Sequence, residues 1–125
     1  MSRLETLAEA IKRYEGWFPL SRSWRHNNPG NLRWSKFQTD NKDNFAVFAN
    51  YASGWLGLWY DLWIKCSGRS ITGLKPTSTI YDLFAVWAPS EDSNDPRAYA
   101  LWVANFLNVG PTTQLKYFLE DINLK

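Results

Sequence analysis

The N-terminal segment carries apolar side chains at the three- and four-residue spacing of an amphipathic helix. Ser2 and Glu5 have the spacing of a capping box, in which each side chain bonds the other residue's backbone N–H. Gly16 follows the last apolar position and is a typical helix stop. The pattern therefore predicts a first helix over about Arg3–Glu15.

The same periodicity predicts two more helices in the middle of the chain. Ser53 is a candidate cap for a helix over about 54–66. Thr77 or Ser78 can cap another helix, which Pro89 ends because the residue before a proline avoids the helical conformation.

The C-terminal part of the chain predicts two further helices. Pro96 suits the first position of a helix, with Asn94 or Asp95 as its cap, and Gly110 breaks that helix. Thr112 is a candidate cap for a last helix that ends near residue 122.

Residues 17–43 lack helical periodicity and are rich in Asn, Ser, Arg and Trp. Pro29 and Gly30 suit the central positions of a type II turn, which requires a positive φ at the glycine. Short strands are predicted at about 31–34 and 44–48. The chain is therefore expected to be a mainly α fold of the α+β kind. We expect five or so helices and a small β-hairpin in a single domain over residues 1–125.

The composition is unusually aromatic, with 8 Trp, 6 Tyr and 7 Phe. Such side chains suit either a core of large rings or a groove that binds sugar rings or bases, and composition does not decide between them. The net charge of +2 is mild and the basic residues are scattered, which argues against a nucleic-acid partner.

Cysteine and histidine each occur once, as Cys66 and His26. An intramolecular disulfide, a cysteine-based metal site and a multi-histidine metal site are therefore excluded, and we expect neither a metal nor a cofactor. The sequence contains no apolar leader and no stretch long enough to span a membrane. We expect a protein made in the cytoplasm without a signal peptide, with no stable membrane insertion.

Glu15 is the most informative polar position. It follows Ile11 by one helical turn and stands at the predicted helix C-terminus, just before Trp17 and Phe18. Partial burial and the helix dipole both disfavour a carboxylate there, and a glycosidase needs a protonated carboxyl to protonate the leaving oxygen. The alternative is an exposed glutamate at a frayed helix end, paired with Arg13 or Lys12.

A polar turn follows, in which Asn27, Asn28 and Asn31 precede Arg33. Its amides can hold an uncharged polar ligand such as an N-acetyl sugar. Alternatively, they only bond their own backbone to shape the turn. Further along, Trp87 and Tyr99 flank an acidic loop. These two aromatic residues either line a sugar cleft with that loop as one rim, or belong to the end of one helix and the start of the next.

The ordered set of these short motifs resembles a lysozyme-like family of cell-wall hydrolases. That family is common in bacteriophages and is related to soluble lytic transglycosylases. The resemblance covers about residues 5–110 and rests on five segments in sequence order. They are Tyr14-Glu15-Gly16, the turn from Asn28 to Arg33, Phe45–Phe48 followed by Gly54, Trp87-Ala88-Pro89, and Tyr99.

This resemblance implies a lysozyme-like fold with a substrate cleft between its helices and peptidoglycan glycan strands as the substrate. It implies Glu15 as the general acid. It also implies Asn28 and Asn31 on the β side of the cleft, and Tyr99 as the tyrosine that follows the Trp-Ala-Pro segment. His26 departs from the pattern, which has another polar residue there. Substrate-binding roles are expected for Asn28, Asn31, Arg33, Trp87 and Tyr99.

A two-carboxylate glycosidase needs a second acidic group, for which Asp40, Asp43, Glu91 and Asp92 are candidates. A lytic transglycosylase needs only Glu15, and this mechanism is the expected one. The alternatives are a hydrolytic lysozyme and a non-catalytic glycan-binding or virion module. We expect a monomer that acts on the cell wall or in the periplasm, as a phage lysin or a virion component.

Overall fold

The computed structural model describes residues 1–122. Within them, five α-helices accompany one two-stranded antiparallel sheet, so the predicted mainly α fold with a small β element is confirmed. The elements are α1 (Arg3–Tyr14), α2 (Arg22–Arg25), β1 (Asp40–Lys42), β2 (Phe45–Val47), α3 (Tyr51–Cys66), α4 (Ile80–Trp87) and α5 (Pro96–Leu107). Short 3₁₀ helices lie at Ser90–Asp92 and Leu115–Leu119.

The chain divides into two compact units. One unit is Ala8–Leu62, and the other comprises Met1–Leu7 with the chain from Trp63 onward. A single domain over residues 1–125 stays a prediction. None of the helices in the described part of the chain has the length and apolar character required to traverse a bilayer.

Helix α1 begins as predicted. The Glu5 N–H donates to Ser2 Oγ at 3.1 Å, and the Ser2 N–H donates back to Glu5 Oε1 at 3.4 Å. Gly16 has φ +81°, a left-handed conformation that ends the helix at little cost only for glycine.

The predicted β-hairpin is present, but its first strand was predicted at the wrong place. β1 pairs with β2 in antiparallel register, with Asn41 opposite Ala46. The segment at 31–34 is not a strand, because Asn31 has φ +50° and both backbone polar groups of Leu32 bond the Asn28 side chain. One link to the sheet remains, from the Ala46 N–H to the Leu32 carbonyl at 2.9 Å.

The turn at Pro29 and Gly30 is also not the predicted type II turn. The Asn31 N–H donates to the Asn28 carbonyl at 2.9 Å, but Gly30 is not among the residues with positive φ. Glycine is required there by space, since a Cβ at Gly30 would lie 2.7 Å from Leu58 Cδ1 of α3. Gly54 of α3 is more constrained, with a Cβ position 1.7 Å from the Asn27 carbonyl oxygen. These two glycines let α3 lie directly against the polar turn.

Two helix starts differ from the prediction. α3 begins at Tyr51, before the predicted cap Ser53, because Asn50 Oδ1 accepts the Ser53 N–H at 2.9 Å. α4 is capped by Thr79, which forms a capping box with Asp82. In both helices, the side chain that bonds the free N–H groups of the first turn belongs to a residue other than the predicted cap.

In the second unit, α4 packs against α5 through Phe84 and Tyr99, whose ring centroids are 4.3 Å apart. Asp95 caps α5 and Pro96 takes its first position, as predicted. Helix α5 ends before the predicted break at Gly110, because Asn108 adopts the left-handed conformation with φ +58°.

The last predicted helix, with Thr112 as its cap, is instead the 3₁₀ helix Leu115–Leu119. Its approach segment bonds the start of α4: the Ile80 N–H donates to the Thr113 carbonyl, and the Leu115 N–H donates to the Ser78 carbonyl. These bonds use the backbone groups that would otherwise begin a longer helix.

The thiol of Cys66, at the end of α3, is fully buried. Burial raises the pKa of the Cys66 thiol to about 12, although the nearby Lys65 charge opposes the shift. The side chain is a structural apolar group, as expected for a lone buried cysteine.

Candidate functional site

Glu15 is the residue that directly follows α1, and its N–H still donates to the Ile11 carbonyl at 2.9 Å. Its side chain is half-buried. The carboxyl therefore lies where the last carbonyl groups of the helix place partial negative charge. A partly buried position at a helix C-terminus is the environment predicted from the sequence.

Asn31 is the polar partner of Glu15 that the structure brings to it. Asn31 Nδ2 donates to Glu15 Oε1 over 3.4 Å, a long hydrogen bond between residues sixteen positions apart. Asn31 has a positive φ, +50°, and asparagine tolerates this conformation better than most residues. Two residues predicted for the site are therefore in direct contact.

Asn28 has a different role. Its side chain is completely buried, and its Nδ2 donates to the carbonyls of Leu32 and Ala46 at 2.9 Å each. Its Oδ1 accepts the Leu32 N–H, also at 2.9 Å. All of these bonds are internal, so the Asn28 amide holds the turn to β2 and offers nothing to a ligand. We therefore place it in the scaffold and not among the substrate contacts.

A serine network fixes the chain on the other side of Glu15. Ser23 Oγ donates to the Gly16 carbonyl at 3.4 Å and lies 3.2 Å from Ser21 Oγ. Ser21 in turn caps α2 by accepting the Trp24 N–H. The turn after Glu15 is thus tied to α2 by hydroxyl groups, a contact that sequence periodicity does not indicate.

An aromatic cluster surrounds Lys12, one turn before Glu15. Lys12 Nζ lies 5.5 to 6.0 Å from the ring centroids of Trp17, Tyr51 and Trp55, donates to Tyr51 Oη at 3.3 Å, and forms an ion pair with Glu9 at 3.1 Å. Burial alone would lower the pKa of Lys12, but its bonds to Glu9 and Tyr51 raise it above its ordinary value. Sequence reasoning did not identify this cluster, because its members are spread over three segments.

Arg33 is exposed, and its guanidinium carbon lies 4.8 Å from the ring centroid of Phe45 on β2. Arg22 of α2 stacks on the same ring at 3.5 Å. Arg33 was predicted as a binding residue, whereas Arg22 was not. Both belong to the unit that contains Glu15 and Asn31.

Trp87 and Tyr99 belong to the other compact unit. Trp87 is the last residue of α4, and its ring lies 5.3 Å from Lys65 Nζ. Tyr99 is 3% exposed and stacks on Phe84. The structure thus joins Glu15 to Asn31, while Trp87 and Tyr99 lie in the helical part of the second unit. Their substrate-binding roles stay predictions.

His26 is 8% exposed, and its Nδ1 is buried without a hydrogen-bond partner. Its backbone carbonyl accepts the Phe48 N–H at 2.9 Å, which attaches the end of α2 to the strand region.

The candidates for a second carboxylate are all exposed. Asp40 lies on β1 and Asp43 in the hairpin turn, where it has φ +54°. Glu91 and Asp92 lie in the 3₁₀ helix of the second unit. Asp40 Oδ1 accepts the Asn41 N–H at 2.8 Å. Each carboxylate is thus in a more solvated environment than Glu15.

Comparisons of this chain with protein-family models, with curated proteins and with solved structures find no match. The lysozyme-like resemblance therefore rests on the sequence motifs alone, and any functional assignment depends on the geometry of the site.

Proposed function

We propose that this protein is a peptidoglycan-cleaving glycosidase with Glu15 as its proton donor. The bond cleaved is the β-1,4 link between N-acetylmuramic acid and N-acetylglucosamine. The observation that carries the proposal is the contact of Glu15 Oε1 with Asn31 Nδ2 at 3.4 Å, at the C-terminus of α1. It joins a half-buried carboxyl to an amide from the turn predicted to hold an acetylated sugar.

Asn31 supports both protonation states that the reaction requires. An amide N–H bonds the carbonyl oxygen of a neutral carboxyl as well as a carboxylate oxygen. The Glu15 carboxyl lies partly buried at the negative end of α1.

We favour the transglycosylase reaction, which uses one carboxyl group. The Glu15 carboxyl donates its proton to the glycosidic oxygen as the bond from that oxygen to the muramic acid C1 breaks. The substrate's own acetamido group stabilises the cationic C1. The Glu15 carboxylate then accepts the proton of the muramic acid C6 hydroxyl as its oxygen bonds C1 and closes the anhydro ring.

Exposed aromatic side chains in the same unit support binding of a glycan. Phe18 is 60% exposed, Trp24 41% and Trp34 66%. Their apolar faces match the apolar faces of sugar rings, and burying them against a sugar removes them from water. The same side chains would also serve a module that binds the wall without cutting it, which is the second candidate function.

The decisive experiment is digestion of purified peptidoglycan, followed by mass spectrometry of the new chain ends. Anhydro ends support the transglycosylase, reducing ends support a hydrolytic lysozyme, and bound but uncut polymer supports a binding module. Glu15→Gln should lower the rate by about 10²–10⁴-fold, the usual contribution of a general acid, with the unfolding midpoint unchanged.

The matched control is Glu120→Gln, which neutralises an exposed carboxyl in the other compact unit and should leave the rate unchanged. Substantial cleavage by Glu15→Gln would contradict the assignment of Glu15.

We further propose that the protein acts as a monomer on the cell wall, as a released lysin or as part of a virion.

A further inference from the structure

We infer that Arg22 and Arg33, stacked on Phe45, form a subsite for a carboxylate carried by the glycan strand. The inference deepens the proposed function, on which it rests, because it specifies that the preferred strand is acidic. It predicts that the lactyl carboxylate of muramic acid, or the first carboxylate of its peptide, is recognised at this position.

The two guanidinium groups share one aromatic ring. Arg22 Cζ lies 3.5 Å and Arg33 Cζ 4.8 Å from the Phe45 centroid, and both arginine side chains are exposed. Stacking on the ring fixes the guanidinium groups and leaves their N–H edges available. A fixed guanidinium edge is the geometry that binds a carboxylate through two parallel hydrogen bonds.

Neither arginine is neutralised by the protein. Within residues 1–122, neither Arg22 nor Arg33 forms an ion pair with a carboxylate. Two like charges beside one ring repel each other, and this repulsion is relieved when an anion binds beside them. The pair is thus positive charge that the Phe45 ring holds but no carboxylate within residues 1–122 neutralises.

The hairpin adds a third cation. Lys42 is directly opposite Phe45 in the register of β1 and β2, so the two side chains project from the same face of the sheet. Asp40 projects from that face as well, and its Oδ1 accepts the Asn41 N–H. The charges on this face therefore sum to a positive value.

Both arginines belong to segments that contact the turn at Glu15. Arg33 follows two residues after Asn31, which donates to Glu15. Arg22 is adjacent to Ser23, which donates to the Gly16 carbonyl. The arginine pair is thus connected through Asn31 and Ser23 to the turn at Glu15. The muramic acid units of a glycan strand carry carboxylates, on the lactyl group or on the attached peptide, that the pair could bind.

The test measures equilibrium binding in a Glu15→Gln background, so that the ligands stay intact. Three oligosaccharides of equal length serve as probes: an uncharged N-acetylglucosamine oligomer, a muramic-acid-containing oligomer with free lactyl carboxylates, and the same oligomer with those carboxylates amidated. The parent should bind the carboxylated oligomer about tenfold more tightly than the amidated one, the range expected for partly exposed charge-assisted bonds.

The double variant Arg22→Gln/Arg33→Gln should lose that tenfold preference and bind the uncharged oligomer as the parent does. Arg97→Gln is the matched control, since Arg97 also stacks on a ring, that of Tyr81 at 4.9 Å, and should keep the preference. If the double variant does not fold, Arg33→Gln alone should lower the preference about threefold.

Equal loss of affinity for charged and uncharged oligomers, or no preference in the parent, would overturn the inference. Competition by a poly(glycerol phosphate) but not by the carboxylated oligomer would also overturn it, because the anion would then be a phosphate. Failure of the proposed acid is distinguished by the digestion experiment: a Glu15→Gln variant that still cleaves peptidoglycan would defeat Glu15 as the proton donor, whereas the charge preference is read only from oligomers that mass spectrometry shows to be intact after the binding measurement.

Discussion

The segment from Gly16 to Phe48 and the α4–α5 pair are stabilised by different means. In the first, a buried asparagine amide and a serine network hold turns that have little regular structure. In the second, two helices pack through apolar side chains, with Phe84 stacked on Tyr99. A polar network orients individual atoms, whereas apolar packing holds whole helices in position. The candidate acid, Glu15, lies beside the polar network.

This difference assigns separate roles to residues that the sequence motifs had all predicted to bind substrate. Asn28, Asn31 and Tyr99 were all predicted to bind substrate. In the structure, Asn28 is part of the scaffold, Asn31 contacts Glu15, and Tyr99 is buried against Phe84. Substitutions in each region test the difference between polar-network and apolar stabilisation, in decreasing order of predicted consequence.

Phe84→Ala should destabilise the protein most, by about 3–5 kcal/mol, because it removes a fully buried ring and leaves a cavity. Chemical denaturation measures the loss, and hydrogen exchange should locate it in α4 and α5. Phe84→Leu is the milder control and should cost less. A loss below 1 kcal/mol for Phe84→Ala would show that apolar packing is not what stabilises this pair.

Asn28→Ala should cost about 3 kcal/mol, since three internal hydrogen bonds are lost and the buried Leu32 N–H loses its acceptor. The same denaturation experiment measures it. Asn27→Ala, which removes one bond to the Phe48 carbonyl and places alanine at a φ of +53°, is the control and should cost less, about 2 kcal/mol. Equal costs for the two variants would contradict the central position of Asn28.

Asn31→Ala should lower activity more than stability, the reverse of what is expected for Asn28→Ala. Its side chain is only half-buried and makes one long bond, so the stability loss should be about 1 kcal/mol, most of it because alanine tolerates the φ of +50° less well than asparagine. Cleavage of peptidoglycan should fall about tenfold, because Glu15 loses the group that orients it. Unchanged cleavage with reduced stability would make Asn31 a structural residue like Asn28.

Tyr99→Phe is expected to have the smallest effect. Stacking on Phe84 is retained, so stability should change by about 1 kcal/mol at most. If the hydroxyl contacts the substrate, cleavage should fall by a few-fold without a matching change in stability. An unchanged rate would place Tyr99 entirely in the packing of α4 and α5.

The sequence predicted the elements whose signals are local. The capping box of Ser2 and Glu5, the stop at Gly16, and Asp95 with Pro96 at the start of α5 all involve residues within one turn of each other. These signals depend on short-range sterics and hydrogen bonding, which operate in any tertiary context.

The failures share a tertiary cause. The strand predicted at 31–34 is displaced because the backbone of Leu32 bonds the Asn28 side chain and the distant Ala46 N–H. The last helix is shortened because residues near Thr113 bond the start of α4. In the same way, Glu15 and Asn31 were each predicted, but their contact and the pairing of Arg22 with Phe45 depend on the folded chain.

The enclosed sulfur of Cys66 has a practical consequence. A thiol that is fully buried and remains protonated at neutral pH is out of reach of alkylating reagents in the native state. Modification then proceeds only through molecules in which the end of α3 has opened. The rate at which Cys66 is alkylated therefore measures how often the end of α3 opens.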